Sequence, residues 1–162
     1  MYPHSDVTHK IIAAAIEVHK NLGPGLLESV YRTCLGWELE NLGLQFQREV
    51  YLPLIYKERR IDRSLRLDFL VENQIILELK STDAILPVHE AQLLTYLKLT
   101  GKQIGLLINF KVPLLKNGIH RCILEKGNVN PVRAEKLVYA EKAEALRTLR
   151  KQPSPLLRTQ IL

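Results

Sequence analysis

The feature that most constrains the fold is the segment 65–80, LRLDFLVENQIILELK, in which two short apolar runs are separated by a polar pair. Runs of this length that are rich in branched residues predict strands, here over 65–71 and 74–80. Glu72 and Asn73 between them predict a hairpin-like connection. Paired strands lie about 4.8 Å apart, so this hairpin brings Asp68 of the first strand toward Glu78 and Lys80 of the second.

The rest of the chain alternates between helical and strand patterns. Apolar spacing predicts helices over 8–20, 26–41, 87–100 and 131–151, and further strands over 46–56, 104–110 and 119–124. The charged segment 57–62 is predicted to be a turn, and Pro53 indicates an edge strand or a bulge. The order α-α-β-β-β-α-β-β-α predicts an α/β fold with a mixed central sheet flanked by helices.

Charge is distributed unevenly along the 162 residues, which we interpret as one domain over 1–128 and a basic helical extension over 129–162. The net charge is +6, and residues 131–162 alone contain seven Lys or Arg and three Glu. A basic tail favours a polyanionic partner, whereas a solvated basic helix is the alternative. The apolar residues of this extension also allow it to serve in a homo-oligomer.

Several classes of protein are excluded by what the sequence lacks. Cys34 and Cys122 are far apart and have no CxxC context, which argues for reduced thiols and against a zinc site or a disulfide framework. His19 is interpreted as a core residue, because no HxH or HExxH spacing occurs. No uncharged apolar run reaches about 18 residues, so no membrane span is expected. The N-terminus has no apolar signal core, and we expect a cytoplasmic protein.

Asp68, Glu78 and Lys80 are the strongest candidates for chemistry. Carboxylates on adjacent strands can share a hard cation such as Mg²⁺ or Mn²⁺, and the backbone carbonyl of Leu79 is a candidate further ligand. Glu78 and Lys80 are two residues apart and point to the same side of the strand, so Lys80 could orient a water or stabilise phosphate charge. The alternative is a strand-end acid beside a surface ion pair. Placing these groups in an apolar run costs desolvation energy unless they are paired or metal-bound.

Further polar candidates lie on two predicted helices. Gln92 and Tyr96 are four residues apart and share one helix face, and His89 precedes Gln92 by three. This row could hydrogen-bond to a phosphate or to a metal-bound water, or it could be the polar edge of an amphipathic helix. Glu28 opens its helix after Gly23-Pro24-Gly25. It is either a first-turn acid favoured by the helix dipole or a third carboxylate at the metal.

Several ordered motifs give the chain a family resemblance. Residues 25–31, GLLESVY, match the GxxExxY signature. Together with AAIEVHKNLGPGLLESVY, LDFLVENQIILELKS, PVHEAQLLTYLKLTG and GLLINFKVPLLKNGI, this motif makes the chain resemble GxxExxY proteins, which are classed in the PD-(D/E)XK nuclease superfamily. The resemblance covers about residues 8–125.

This resemblance implies a restriction-endonuclease-like fold and metal-dependent cleavage of nucleic acid. By position, Asp68 matches the motif aspartate, and Glu78 and Lys80 match (D/E)XK. Glu28 matches the helix glutamate that supports the metal in many members. Leu67 stands where the motif has proline, and nothing carries over to the basic extension.

Residues 92–96, QLLTY, are similar to the QxxxY element of RecB-type nucleases. With the acid pair, this element favours a Mg²⁺- or Mn²⁺-dependent nuclease, with DNA preferred over RNA as its substrate. The alternative hypothesis is a catalytically inactive module on the same fold that binds nucleic acid or another protein.

Overall fold

The computed structural model describes residues 5–124, without the side chains of Ser5 and Ser64. The predicted order of helices and strands is confirmed within this range. The elements are α1 (Ser5–Leu22), α2 (Glu28–Asn41), β1 (Phe46–Tyr56), β2 (Arg59–Val71), β3 (Ile75–Lys80), α3 (Pro87–Thr100), β4 (Ile104–Asn109), a short 3₁₀ helix (Leu115–Gly118) and β5 (Ile119–Ile123). The predicted domain boundary at residue 128 and the predicted helix over 131–151 lie outside the described residues.

The strands of the described range form one mixed sheet in the order β1-β2-β3-β4-β5. β3 and β4 are parallel, and every other neighbouring pair is antiparallel. Parallel neighbours need a long crossover, which α3 supplies here. The mixed sheet predicted from the sequence is therefore confirmed.

Helices cover both faces of this sheet. Side chains of α1 and α2 share one hydrophobic core with Leu77 of β3 and Leu106 of β4. Gly105 is next to Leu106 in β4. Successive residues of a strand point to opposite faces of the sheet, so position 105 faces away from the core shared with α1 and α2. A Cβ added at Gly105 would lie 2.7 Å from Leu93 of α3, so α3 packs on this opposite face. None of the described helices has the length and apolar character needed to cross a membrane.

The charged turn predicted over 57–62 is wrong in its extent. Lys57 and Glu58 alone form the turn, with φ of 45° and 66°, and β2 already begins at Arg59. Two residues of positive φ are typical of a tight hairpin turn. The strand was missed because residues 59–63 are exposed, so no apolar alternation marks them.

Two other predictions concern Pro53 in β1 and the start of α1. Pro53 lies in β1, an edge strand whose register with β2 shifts between Leu52 and Leu54, which confirms both an edge and an irregularity. The start predicted at Thr8 is wrong, because α1 begins at Ser5 and Thr8 is buried inside the helix. From the sequence alone, a threonine that is buried inside a helix cannot be distinguished from a threonine that caps the start of a helix.

Candidate active site

The two candidate carboxylates lie where β2 and β3 separate. The last paired residues are Phe69 and Leu77, and beyond them each acid bonds to the opposite strand. The N–H of Leu79 donates to Oδ2 of Asp68 at 2.8 Å, and the N–H of Asp68 donates to Oε1 of Glu78 at 3.3 Å. These two side-chain hydrogen bonds take the place of backbone hydrogen bonds between β2 and β3, and they fix the two carboxylates next to each other.

This acid pair is almost fully buried. Asp68 is 4% exposed and Glu78 is 3% exposed. Burial, and then the negative charge of Asp68, raise the pKa of Glu78 to about 8. Lys80 opposes this shift, because its Nζ lies 3.5 Å from Oε2 of Glu78. The expectation that Glu78 and Lys80 share one side of the strand is confirmed.

Arg32 of α2 joins this site, although the sequence analysis did not identify it. Its Nη2 lies 2.9 Å from Oδ1 of Asp68 and 2.9 Å from Oε1 of Glu28. Its Nη1 lies 3.8 Å from Oε1 of Glu49. The Nε of Arg32 is buried without a hydrogen-bond partner among the described residues. The sequence did contain a signal for the pairing of Arg32 with Glu28, because residues four apart in a helix meet on its surface.

The loop before α2 is held by Tyr31, the last residue of the GxxExxY motif. Its hydroxyl donates to the carbonyl of Gly23 at 2.6 Å and accepts from the N–H of Leu26 at 3.1 Å. Its ring is fully buried and stacks on Phe110, with centroids 4.3 Å apart. The hydroxyl of Ser81 donates to the carbonyl of Leu26 at 2.7 Å. This network fixes the start of α2, and with it Glu28, against the end of β3.

Gln92 and Tyr96 share a face of α3, as predicted, because Nε2 of Gln92 donates to Oη of Tyr96 at 2.7 Å. Tyr96 is buried and Gln92 is exposed. Burial, and then the charge of Glu78, raise the pKa of Tyr96. His89 has a different environment. Its Nδ1 accepts from the N–H of Leu86 at the start of α3.

Asn109 is a second residue that sequence reasoning missed. It is 2% exposed at the end of β4. Its Oδ1 accepts from the N–H of Thr82 at 3.1 Å, and its Nδ2 donates to the carbonyl of Thr82 at 2.8 Å. These bonds fasten the segment that follows Lys80. A lone Asn at a strand end gave no signal of this role.

The predicted core role of His19 is supported by its contacts. The residue is 9% exposed, and its Nε2 lies 2.8 Å from the carbonyl oxygen of Val112. Cys34 and Cys122 are free thiols, as expected. None of these three groups contributes to the acid pair in the contacts of the described residues.

Comparison with known proteins identifies the family of the chain. Residues 5–122 match the model of the PD-(D/E)XK nuclease superfamily. The chain belongs to this superfamily. The mixed sheet flanked by helices is its restriction-endonuclease-like fold. The crystal structure of SSO0001 matches 91% of this chain and 72% of its own, at 18% identity and a TM-score of 0.48. A search of curated proteins gave no match.

PD-(D/E)XK nucleases generally use divalent metals, and the donor set here fits such an ion. Two adjacent buried carboxylates are hard oxygen donors of the type that Mg²⁺ and Mn²⁺ prefer. The raised pKa of Glu78 shows that negative charge is unfavourable there without a further cation. Glu28 instead pairs with Arg32. Across residues 5–124, no three His, Cys, Asp or Glu side chains are placed to hold a metal together.

Proposed function

We propose that this protein is a divalent-metal-dependent nuclease of the GxxExxY type that hydrolyses phosphodiester bonds of nucleic acid, with DNA as the favoured substrate. The observation that carries the proposal is the buried pair of Asp68 and Glu78 with Lys80 at 3.5 Å. This arrangement lies in a chain of the PD-(D/E)XK nuclease superfamily. A structural ion pair would not need two adjacent carboxylates at 4% and 3% exposure.

In this proposal Asp68, Glu78 and the backbone carbonyl of Leu79 would hold Mg²⁺ or Mn²⁺, and Glu28 would join them only when the ion replaces its present partner Arg32. The bound cation polarises the phosphoryl oxygen and lowers the pKa of water. Lys80 donates hydrogen bonds to the attacking water or to a phosphate oxygen. Its positive charge also favours the ionised form of Glu78, which is the form that binds a cation.

The α3 residues are proposed to contact the substrate. The ordinary pKa of tyrosine is about 10 and that of Tyr96 is raised further by burial, so its hydroxyl is protonated at neutral pH and can donate a hydrogen bond. Gln92 is exposed beside it and can hold the scissile phosphate through its amide, in the manner of a RecB-like QxxxY element. His89 is the weakest member of this set, because its Nδ1 already accepts from the backbone.

A cleavage assay tests the proposal. Single- and double-stranded DNA and RNA would be incubated with Mn²⁺ and wild type, Asp68→Asn or Lys80→Ala. Loss of one group that stabilises charge in a transition state costs on the order of 10²–10³ in rate, and we expect a loss of this size in both variants. Asp83→Asn and Lys116→Ala are matched controls, since both residues are exposed. Equal cleavage by wild type and Asp68→Asn would refute the assignment.

The ion pair between Arg32 and Asp68 is the specific observation that favours the alternative function. Arg32 already neutralises Asp68, as in a domain that binds nucleic acid or a protein without cutting. Mn²⁺ titration followed by calorimetry separates the two. If the protein is an enzyme, wild type binds Mn²⁺ and Asp68→Asn does not. If Arg32 blocks Asp68 and the protein is an inactive module, neither wild type nor Asp68→Asn binds Mn²⁺.

Three broader expectations remain predictions. A cytoplasmic location rests on the sequence alone. Participation of the basic extension in binding nucleic acid or in a homo-oligomer also concerns residues that the structure does not describe. Light scattering of the chain with and without residues 129–162 would test the oligomeric state.

A further inference from the structure

The distal parts of β1 and β2 form a two-stranded arm, which we define as residues 51–66. β2 pairs with β3 only through residues 69–71. β1 and β2 continue to pair from there to Tyr56 and Arg59. Glu49 and Ile55 are six residues apart, which at about 3.4 Å per residue gives a reach of about 20 Å. Within the described range, the arm therefore extends past the part of β2 that pairs with β3 and past the acid pair.

The arm accounts for the entire net positive charge of the described residues. Residues 51–66 hold five Lys or Arg and two Asp or Glu. The other residues of 5–124 hold ten Lys or Arg and eleven Asp or Glu. A positive potential along this ribbon attracts a polyanion, whereas the rest of the described domain is close to neutral.

One face of the arm combines arginines with an exposed aromatic ring. Tyr51 pairs in register with Arg66. Beyond the register shift at Leu52 and Leu54, Ile55 pairs with Arg60, whose Nε lies 2.6 Å from Oδ1 of Asp62 at the surface. Tyr51 and Ile55 are 43% and 41% exposed. The guanidinium of Arg63 lies 5.2 Å from the centroid of the Tyr51 ring, so aromatic and guanidinium planes are adjacent. Such surfaces are those on which bases stack.

The opposite face of the arm near its base is apolar and covered. Its residues alternate with those of the exposed face. Val50, Leu52 and Leu67 are 8%, 2% and 0% exposed. The exposed arginine face is therefore left open by packing and is not the side that anchors the ribbon to the domain.

A chain of contacts connects the exposed face to the acid pair. Nη1 of Arg66 lies 2.9 Å from Oε1 of Glu49. The same carboxylate lies 3.8 Å from Nη1 of Arg32, whose Nη2 bonds to Asp68. The base of the exposed face therefore lies close to the buried carboxylates.

We infer that the arm binds the single-stranded segment of nucleic acid that adjoins the phosphodiester bond at the acid pair. The identity of this partner as the substrate rests on the proposed nuclease function. The arginines contact phosphates, and a base stacks on Tyr51 or on the guanidinium beside it. A single strand is favoured over a duplex because stacking needs an unpaired base face, whereas a duplex presents mainly its phosphates to a ribbon of this kind.

The test measures binding without cleavage, in EDTA, with fluorescein-labelled oligothymidylate and the full-length chain. The variant Arg60→Ala/Arg63→Ala is expected to bind at least about tenfold more weakly than wild type. Each lost phosphate contact on a single strand reduces the salt slope of log K by about 0.7, so the slope should fall by about 1.4. Tyr51→Leu should weaken binding by about fivefold or more through lost stacking. Lys98→Ala/Lys116→Ala, which removes two exposed charges elsewhere, should bind within twofold of wild type.

Three results would overturn the inference, and two of them concern the alanine variants. One is unchanged binding by Arg60→Ala/Arg63→Ala, and the other is an equal loss in both paired variants. Arg60→Lys/Arg63→Lys keeps the charge and should restore most of the affinity, which separates phosphate contact from misfolding of the ribbon. Equal weakening of a matched duplex by Tyr51→Leu would also reject the single-stranded assignment. Because no cleavage is needed, absent nuclease activity would refute the proposed function and leave this result interpretable.

Discussion

The guanidinium of Arg32 lies 2.9 Å from the carboxylate of Asp68, measured from Nη2 to Oδ1. The same nitrogen lies 2.9 Å from Oε1 of Glu28, so the two oxygens are at most twice that distance apart. Arg32 therefore holds together two of the three acids predicted to bind metal. A cation that enters the site competes with this guanidinium for the carboxylates.

Arg32→Met is expected to destabilise the metal-free protein and to make it more dependent on metal. Removing one partner of a buried pair leaves the other charge uncompensated, and such changes cost about 3 kcal/mol. The Asp68 side chain is 6% exposed, so water cannot replace the lost partner well. Urea unfolding in EDTA should show the decrease in the free energy of unfolding. Addition of Mn²⁺ should recover more stability in the variant than in wild type.

Arg59→Met is the matched control for this prediction, since Arg59 is exposed on the arm. Its effect should stay within about 0.5 kcal/mol, as is usual for surface changes. If Arg32→Met unfolds at the same urea concentration as this control, Arg32 does not stabilise Asp68.

The stability of the metal-free protein should fall as the pH rises toward 8. The pKa of Glu78 is about 8 in the folded state, against 4.5 for the unperturbed group. Between these values the folded state keeps a proton that the unfolded chain has released. Raising the pH therefore lowers the free energy of unfolding, by at most about 1.4 kcal/mol per pH unit for one proton. Urea unfolding at several pH values in EDTA measures the slope.

Glu78→Gln removes this proton and should make the slope shallower over the same pH range. Glu40→Gln is the control, because the Glu40 side chain is 62% exposed. It should keep the wild-type slope. A wild-type slope in Glu78→Gln would show that other groups, not Glu78, cause the dependence.

Mn²⁺ affinity should decrease as the pH falls below about 8. A carboxylate must lose its proton to bind a metal, and Glu78 holds its proton up to that pH. For one proton released per ion, the apparent association constant falls about tenfold per pH unit. Calorimetry in two buffers of different ionisation enthalpy reports both the affinity and the proton release. Asp83→Asn should behave as wild type, and a pH-independent affinity would argue against Glu78 as a ligand.

The acid pair could be predicted from the sequence because its determinants are local. Strand alternation and the short connection at Glu72 and Asn73 define the hairpin of β2 and β3. The register then brings Asp68 to Glu78. The helix spacing of Gln92 and Tyr96 is equally local, which is why their contact could be anticipated.

The contacts of Arg32 could not be predicted because they depend on tertiary packing. Spacing on α2 indicates its partner Glu28, but nothing in the sequence tells which strand the guanidinium meets. The separation of β2 from β3 beyond Phe69 is also a property of the assembled sheet. The β2 half of the arm was missed for another reason, since residues 59–63 are all exposed and lack the apolar alternation that marks a strand.

Tyr31→Phe should lower both stability and activity while leaving the core intact. The change removes the hydroxyl that bonds to Gly23 and Leu26, but it keeps the ring stacked on Phe110. Two lost hydrogen bonds of this kind cost about 1–2 kcal/mol in the free energy of unfolding. Glu28 follows this loop directly, so under the proposed function Mn²⁺-dependent cleavage should slow, though less than in Asp68→Asn. Thr33→Val, which removes an exposed hydroxyl of α2, should change neither quantity by a comparable amount. Urea unfolding and the cleavage assay measure both, and equal behaviour of the two variants would show that the Tyr31 hydroxyl does not position α2.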